Sequence, residues 1–298
     1  MNCLVTGGAG FIGSHLVDEL IKLDHKVTIL DNLSTGSKEN INPQADFYNV
    51  DISTVVQKEL NNYFKDIDIV FHLAALPNVQ YSIEYPLDSN KANTDTTIKV
   101  LECMRTNFVR KIVYSSSCSI YGNAKNIPTN ENEPIDPLSP YALQKYIGEQ
   151  YCYLYNKIFG LEYVILRYFN VYGERMSSTG SYVSVLSHFI RSMKNNQPLN
   201  IVNDGNQKRD FVYVKDVVNA NIIGAFNNQI TNHIFNIGNG KNYSINTIAD
   251  WFELPKQYGE HRLEPNETLS DITKANFVLG WYPKQDLQSW ILLTKNNI

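Results

Sequence analysis

The chain has 298 residues, 43% of them hydrophobic and 19% charged, with a net charge of −4, enough apolar content for one large domain or two. No dense Lys/Arg run marks a nucleic-acid surface, and no apolar run reaches the roughly 18 residues that a membrane span needs. Met1 leads straight into an apolar segment, so no export signal, a cytoplasmic location and unused glycosylation sequons at Asn242 and Asn266 are expected.

The first predicted strand, Cys3-Leu4-Val5-Thr6, runs into Gly7-Gly8-Ala9-Gly10-Phe11-Ile12-Gly13 and the start of a helix. Three glycines at this spacing suit a dinucleotide loop. Gly7 allows the tight turn, Gly10 lets a pyrophosphate approach the backbone, and Gly13 lets helix and strand pack closely. The N–H groups at the helix start, around Phe11, Ile12 and Gly13, then face the phosphates. A second strand, Lys26 to Leu30, ends at Asp31. A carboxylate there binds a ribose 2′-hydroxyl and repels a 2′-phosphate, which predicts NAD as cofactor.

Further strands are predicted at 47–51, 67–73, 111–116 and 163–167, with helices over 54–64, 90–106 and 141–159 between them. Apolar strands alternating with helices imply a parallel sheet covered on both faces, a doubly wound Rossmann-type α/β fold. Beyond it, 182–194 and 215–227 read as helices, 233–238 as a strand, and 245–253 and 271–279 as helices, the last capped by Gly280. The expected organisation is an NAD-binding domain over 1–169 and a smaller mixed α/β substrate-binding lobe over 170–298. Parts of the latter, such as 233–238, return to the first domain in this reading. Cys3, Cys103, Cys118 and Cys152 form no Cys-x-x-Cys pair, so reduced thiols and no metal are expected.

Ser139-Pro140-Tyr141-Ala142-Leu143-Gln144-Lys145 carries the chemistry. Pro140 opens a helix, and Tyr141 and Lys145, at i and i+4, share one of its faces. An ammonium beside a phenol favours the phenolate, which makes Tyr141 a general base near neutral pH.

Other segments in chain order are Asp31-Asn32-Leu33-Ser34, Phe71-His72-Leu73-Ala74-Ala75, Ser115-Ser116-Ser117-Cys118-Ser119-Ile120-Tyr121-Gly122, Leu166-Arg167-Tyr168-Phe169-Asn170-Val171-Tyr172-Gly173 and Arg209-Asp210-Phe211-Val212-Tyr213-Val214. With the glycine loop and the Tyr141/Lys145 pair, nearly the whole chain resembles the extended short-chain dehydrogenase/reductases, in the nucleotide-sugar 4-epimerase branch. The resemblance implies that Ser117 is the catalytic hydroxyl beside Tyr141 and that Lys145 also binds the nicotinamide ribose. It puts Asn32 next to Asp31, Asp51 and Ile52 at the adenine, and Leu73, Ala74 and Ala75 where the backbone approaches the cofactor. Asn93 and Tyr168 complete the implied cofactor set. Asn170 and Arg209 are implied at the substrate diphosphate, a guanidinium being bidentate to phosphate oxygens. Arg262 and Glu264, shortly before Asp271-Ile272-Thr273-Lys274-Ala275, are implied at the nucleotide ribose, aligned with a one-residue gap. His72 is read as packed rather than catalytic, and Ser115 and Ser116 as structural or cofactor-lining.

The related dehydratases carry adjacent Asp and Glu after the catalytic hydroxyl. Cys118 and Ser119 stand there in this chain and cannot act as acid and base, which disfavours dehydration. The expectation is an NAD-dependent 4-epimerase acting on UDP-GlcNAc/UDP-GalNAc and/or UDP-glucose/UDP-galactose. In the resemblance Thr268 falls near a residue that gates room for an N-acetyl group. Two alternatives remain at this point. One is another UDP-sugar-modifying enzyme of the fold, namely a UDP-glucuronate epimerase or decarboxylase or a 4-keto-sugar reductase. The other is a non-catalytic NAD-binding sensor. The resemblance also implies a homodimer through helices at 90–106 and 141–159, the latter with apolar surface in excess of one face at Tyr151 to Tyr155.

Overall fold

The computed structural model describes residues 1–177, 184–259 and 265–297. The amino-terminal half alternates strands and helices: β1 (Asn2–Thr6), α1 (Phe11–Lys22), β2 (Lys26–Asp31), β3 (Asp46–Asn49), α2 (Gln57–Leu60), β4 (Ile69–His72), α3 (Val79–Glu84), α4 (Pro86–Asn90), α5 (Thr96–Thr106), β5 (Lys111–Ser117), α6 (Pro140–Phe159) and β6 (Glu162–Tyr168). The rest comprises β7 (Asn170–Tyr172), α7 (Val185–Lys194), β8 (Leu199–Ile201), β9 (Lys208–Tyr213), α8 (Val214–Phe226), β10 (His233–Ile237), β11 (Asn242–Ser244), α9 (Ile245–Phe252), β12 (Lys256–Tyr258) and α10 (Leu287–Asn296).

Seven strands form one sheet in the order β10-β6-β5-β4-β1-β2-β3, every neighbouring pair parallel. Its central strands are buried on both faces, as apolar runs such as Ile69-Val70-Phe71 require. One apolar layer packs α1 and α8 on β1, β4, β6 and β10 through Leu16, Val17, Val5, Phe71, Val164, Val217 and Phe235. The opposite layer packs α5 and α6 through Val100, Leu101, Met104, Cys152 and Tyr155. Strand order reverses between β1 and β4, and a ligand crevice is expected outside the carboxyl ends of strands at such a switch point. A three-stranded sheet, β11-β9-β7, and a β12-β8 pair stand apart from the large sheet, and a third core joins them to α7, α9 and α10. β10 pairs with β6 at the edge of the large sheet.

The structure departs from the periodicity in several places. The helix expected at 54–64 is a single turn, α2, followed by a 3₁₀ turn at Asn61–Phe64. The helix expected at 90–106 begins earlier, as α4, and passes through a π turn at Lys91–Asp95 before α5. The segment at 271–279 closes in a π turn at Ala275–Leu279, with Gly280 left-handed at φ 70°. The short strands β7, β8, β11 and β12 were not anticipated, because three residues carry too little alternation to read. α10 was also missed, although Asp286 caps it and Leu287, Trp290 and Ile291 are its buried stripe.

Candidate active site

The glycine loop occupies the switch point. Gly7 takes φ +73°, and a Cβ there would lie 2.8 Å from the Ala74 nitrogen. A Cβ on Gly13 would lie 2.1 Å from the Gly7 oxygen, so the first turn of α1 packs on the loop with no room for a side chain. α1 has no side-chain cap, and its first N–H groups have no intrahelical acceptor. Gly7, Gly10, Phe11, Ile12 and Gly13 line a cavity of about 1000 Å³.

Asp31 lines the same cavity and is 8% exposed. One of its oxygens accepts the Ala9 N–H at 3.0 Å and the other the Leu33 N–H at 2.8 Å. Burial pushes its carboxyl above the usual range, and those two N–H groups oppose the rise. Asn32, Asp51 and Ile52 line the cavity beyond Asp31, while Leu73, Ala74 and Ala75 form its wall after β4. These residues fit a dinucleotide: a loop without side chains for the phosphates, a helix start facing it, and a carboxylate at the far end of β2.

The same cavity is also lined by Ser117, Tyr141, Lys145, Tyr168 and Asn170. Ser139 caps α6 by accepting the Ala142 N–H at 3.2 Å, and Pro140 is the first helical residue. Tyr141 and Lys145 therefore project from the first two turns onto β5. The Lys145 ammonium donates to the Ser115 carbonyl at 2.8 Å. Burial lowers its pKa to about 8, against the attraction of Glu149 one turn on. Ser117 ends β5, and its oxygen accepts the Ser119 N–H at 3.2 Å, which leaves its own proton available to donate. Ser115 pairs with the Tyr168 hydroxyl at 3.0 Å, and the Asn221 amide donates to that same hydroxyl.

Asn170 lines the cavity while its amide donates to the Asp210 carbonyl at 2.8 Å. Asn93 and Arg209 are not among the lining residues. The Asn93 carbonyl oxygen accepts the Leu76 N–H at 2.7 Å and its amide donates to Gln144 at 2.8 Å, so it braces the cavity wall from behind. Arg209 is 9% exposed and donates to the Lys208 carbonyl, with Asp210 next to it buried under Ser270, Asn239 and Gly240. Thr268 is absent from the cavity lining and bonds through its backbone to Lys208. Arg262 and Glu264 lie outside the described residues.

His72 is buried and does not line the cavity. The Thr97 hydroxyl donates to the Asn93 carbonyl at 2.6 Å, so it accepts from His72 Nε2–H. Nδ1 is then the acceptor for the Thr6 hydroxyl, whose oxygen in turn accepts the Ala74 N–H. This chain of bonds ties the end of β1 to the wall after β4. Sequence reasoning also missed Glu149 and the partnership of Arg167, both buried behind the Lys145 side chain. Their signal was a Glu at i+4 from Lys145 on the same helix face.

The profile of the NAD dependent epimerase/dehydratase family matches residues 3–238. A Methanocaldococcus jannaschii protein provisionally named a UDP-glucose 4-epimerase is 47% identical over 97% of this chain and 95% of its own length. The crystal structure of the Thermotoga maritima UDP-glucose 4-epimerase with UDP-glucose superposes with a TM-score of 0.95 at 37% identity, covering 99% of this chain and 98% of that one. The UDP-N-acetylglucosamine 4-epimerase of Methanobrevibacter ruminantium, in complex with UDP-N-acetylmuramic acid, gives 0.91 at 37% identity over 99% and 97%.

Proposed function

The chain belongs to the NAD dependent epimerase/dehydratase family, and from that premise we propose that it is an NAD-dependent UDP-sugar 4-epimerase. Its substrates in this reading are UDP-GlcNAc/UDP-GalNAc and/or UDP-glucose/UDP-galactose. The observation that carries the reading is that Ser117, Tyr141 and Lys145 line the same cavity as the glycine loop and Asp31. The residues after Ser117 that line this cavity, Cys118 and Ser119, supply no acid–base pair for dehydration, and burial pushes the Cys118 thiol up to about 12.

Tyr141, as phenolate, takes the proton of the 4-hydroxyl and later returns it. Lys145 holds a cation beside that phenol while its ammonium is anchored on Ser115. Ser117 donates its proton to the sugar 4-oxygen and orients it. Bound NAD supplies a hydride acceptor and donor for C4. Asn170, at the start of β7, faces the cavity where a diphosphate would anchor the sugar while its ring turns over. Arg209, Arg262 and Glu264 belong to the same proposal as nucleotide contacts.

The test is proton NMR of the purified protein with UDP-GlcNAc and, separately, UDP-glucose, without added cofactor. Appearance of the galacto isomer supports the reading, and the two rates rank the sugars. No conversion in either tube after NAD is added overturns it. We also infer a cytoplasmic homodimer. Four free thiols support the compartment. The outer face of α6, where Tyr153, Leu154, Ile158 and Phe159 are 42–59% exposed, supports the dimer. Sedimentation at the mass of a single chain would exclude it.

A further inference from the structure

Behind the catalytic residues lies a buried charge pair that touches none of the cavity. Glu149 is 1% exposed and Arg167 3%. The guanidinium grips both carboxylate oxygens, Nε to Oε1 at 2.9 Å and Nη2 to Oε2 at 2.7 Å. The Ser116 hydroxyl donates to Oε1 at 2.5 Å. The remaining Arg167 nitrogen donates to the Tyr121 hydroxyl and the Glu131 carbonyl, so all three guanidinium nitrogens have partners.

The placement of the pair is informative. Ser116 and Arg167 are direct partners across the β5–β6 ladder, and side chains of paired residues share a face of the sheet. Both point at α6, where Tyr141, Lys145 and Glu149 follow one another at four-residue spacing along one stripe. One strand residue beyond Ser116 is Ser117, and one helical turn before Glu149 is Lys145. The carboxylate is therefore a clasp between the helix that carries Tyr141 and Lys145 and the strand that carries Ser117. Burying an ion pair is a poor route to stability, since well-packed apolar residues serve as well or better. What three fixed donors on one carboxylate do supply is a single register.

We propose that Glu149 and Arg167 are positioning residues: their pair sets α6 on the β5–β6 ladder so that Lys145 and Tyr141 meet Ser117 in the cavity. The proposal rests on the epimerase reading above. It predicts an effect on turnover beyond any effect on folding, because a misplacement of about 1 Å at a reacting centre can cost roughly 10²-fold in rate.

The carboxylate also faces the Lys145 ammonium electrostatically and favours its charged form. The other groups facing that ammonium are the Tyr114 ring on β5 at 5.3 Å and neutral His72 on β4, and Tyr141 stands one turn earlier on the same helix. Loss of the Glu149 charge moves the deprotonation of Lys145 to lower pH, and with it the high-pH limb of kcat.

The experiment compares wild type with Glu149→Gln and Ser116→Ala. For Glu149→Gln, kcat is expected to fall about tenfold or more with KM within about threefold, and the high-pH limb moves down. Ser116→Ala, which keeps the ion pair, gives a smaller fall in kcat with no movement of the limb. If Glu149→Gln does not fold, the double variant Glu149→Leu/Arg167→Met restores an apolar core, and the same loss of kcat is expected of it. A folded Glu149→Gln or double variant with wild-type kcat and an unmoved limb overturns the proposal, as does a rise in KM alone. Should wild type bind NAD yet epimerise no UDP-sugar, the epimerase reading fails and NAD affinity decides for the pair. A Kd about tenfold weaker in Glu149→Gln upholds the positioning of Lys145, and an unchanged Kd overturns it.

Discussion

Tyr141 sits at the cavity end of α6, is 9% exposed, and shares its helix face with a lysine whose pKa burial lowers to about 8. The lysine charge is thus retained at neutral pH but lost within the alkaline range where many enzymes still work. Tyr141→Phe keeps the ring and its packing while removing the hydroxyl proposed to accept the proton. A general base is worth roughly 10²–10⁴ in rate, so kcat should fall by about that factor while NAD remains bound. Turnover near wild type in this variant would remove Tyr141 from the mechanism. At this scale the sequence was most legible where chemistry demands particular atoms. The glycines, Asp31, Tyr141 and Lys145 were legible from residue type and spacing and Ser117 through the family resemblance, and all line one cavity. Asn93 and Arg209 were less legible, because a polar side chain gives no sign in the sequence of whether its hydrogen bonds go to a ligand or to the protein. Those of Asn93 go to Leu76 and Gln144.

α6 shows how local sequence places the two residues proposed as catalytic, Tyr141 and Lys145. Its start carries three independent instructions: the Ser139 cap, Pro140 at the first helical position, and Tyr141, Gln144, Lys145 and Gly148 on the buried face. Its end has Gly160 in the left-handed conformation at φ 72°. Gly148 fits under Tyr114, where a Cβ would meet the phenol oxygen at 2.0 Å, so helix and β5 approach closely. Ser139→Ala removes the cap and should cost about 1 kcal/mol of stability by urea unfolding. Because the first turn carries Tyr141, kcat should fall as well, by less than in Tyr141→Phe. An unfolding midpoint equal to wild type would show that Pro140 and packing suffice. The π turn at 91–95 lacked such instructions. It arises where Asn93 is pulled toward Gln144 and Leu76, a demand set by other elements.

Across the whole molecule, the linked bonds Ala74–Thr6–His72–Thr97–Asn93 hold β1, β4 and the segment before α5 together beneath the cavity. Burial, with Lys145 adding to it, lowers the His72 pKa to about 3, against roughly 6.5 in an unfolded chain. Between those values the unfolded chain binds a proton that the folded one refuses. The stability from neutral His72 is therefore fully present above about pH 6.5 and lost as pH falls. By pH 5 the loss is about 2 kcal/mol. Asp31, Asp210 and Glu131, raised by burial, act in the opposite sense. The comparison is thus with His72→Gln, whose urea midpoint should change less than wild type between pH 7 and pH 5. Equal slopes in the two proteins would mean that His72 is protonated in the folded state at pH 5. The doubly wound parallel sheet, the NAD loop and the Tyr–Lys pair were determined by the sequence alone, because hydrophobic period, glycine spacing and helical i, i+4 geometry act over a few residues. The tertiary structure decided the rest: the Glu149–Arg167–Ser116 clasp, the His72 chain, and the short strands β7, β8, β11 and β12. Each joins residues distant in the chain, and no local rule reports which buried polar group will find which partner until the elements have packed.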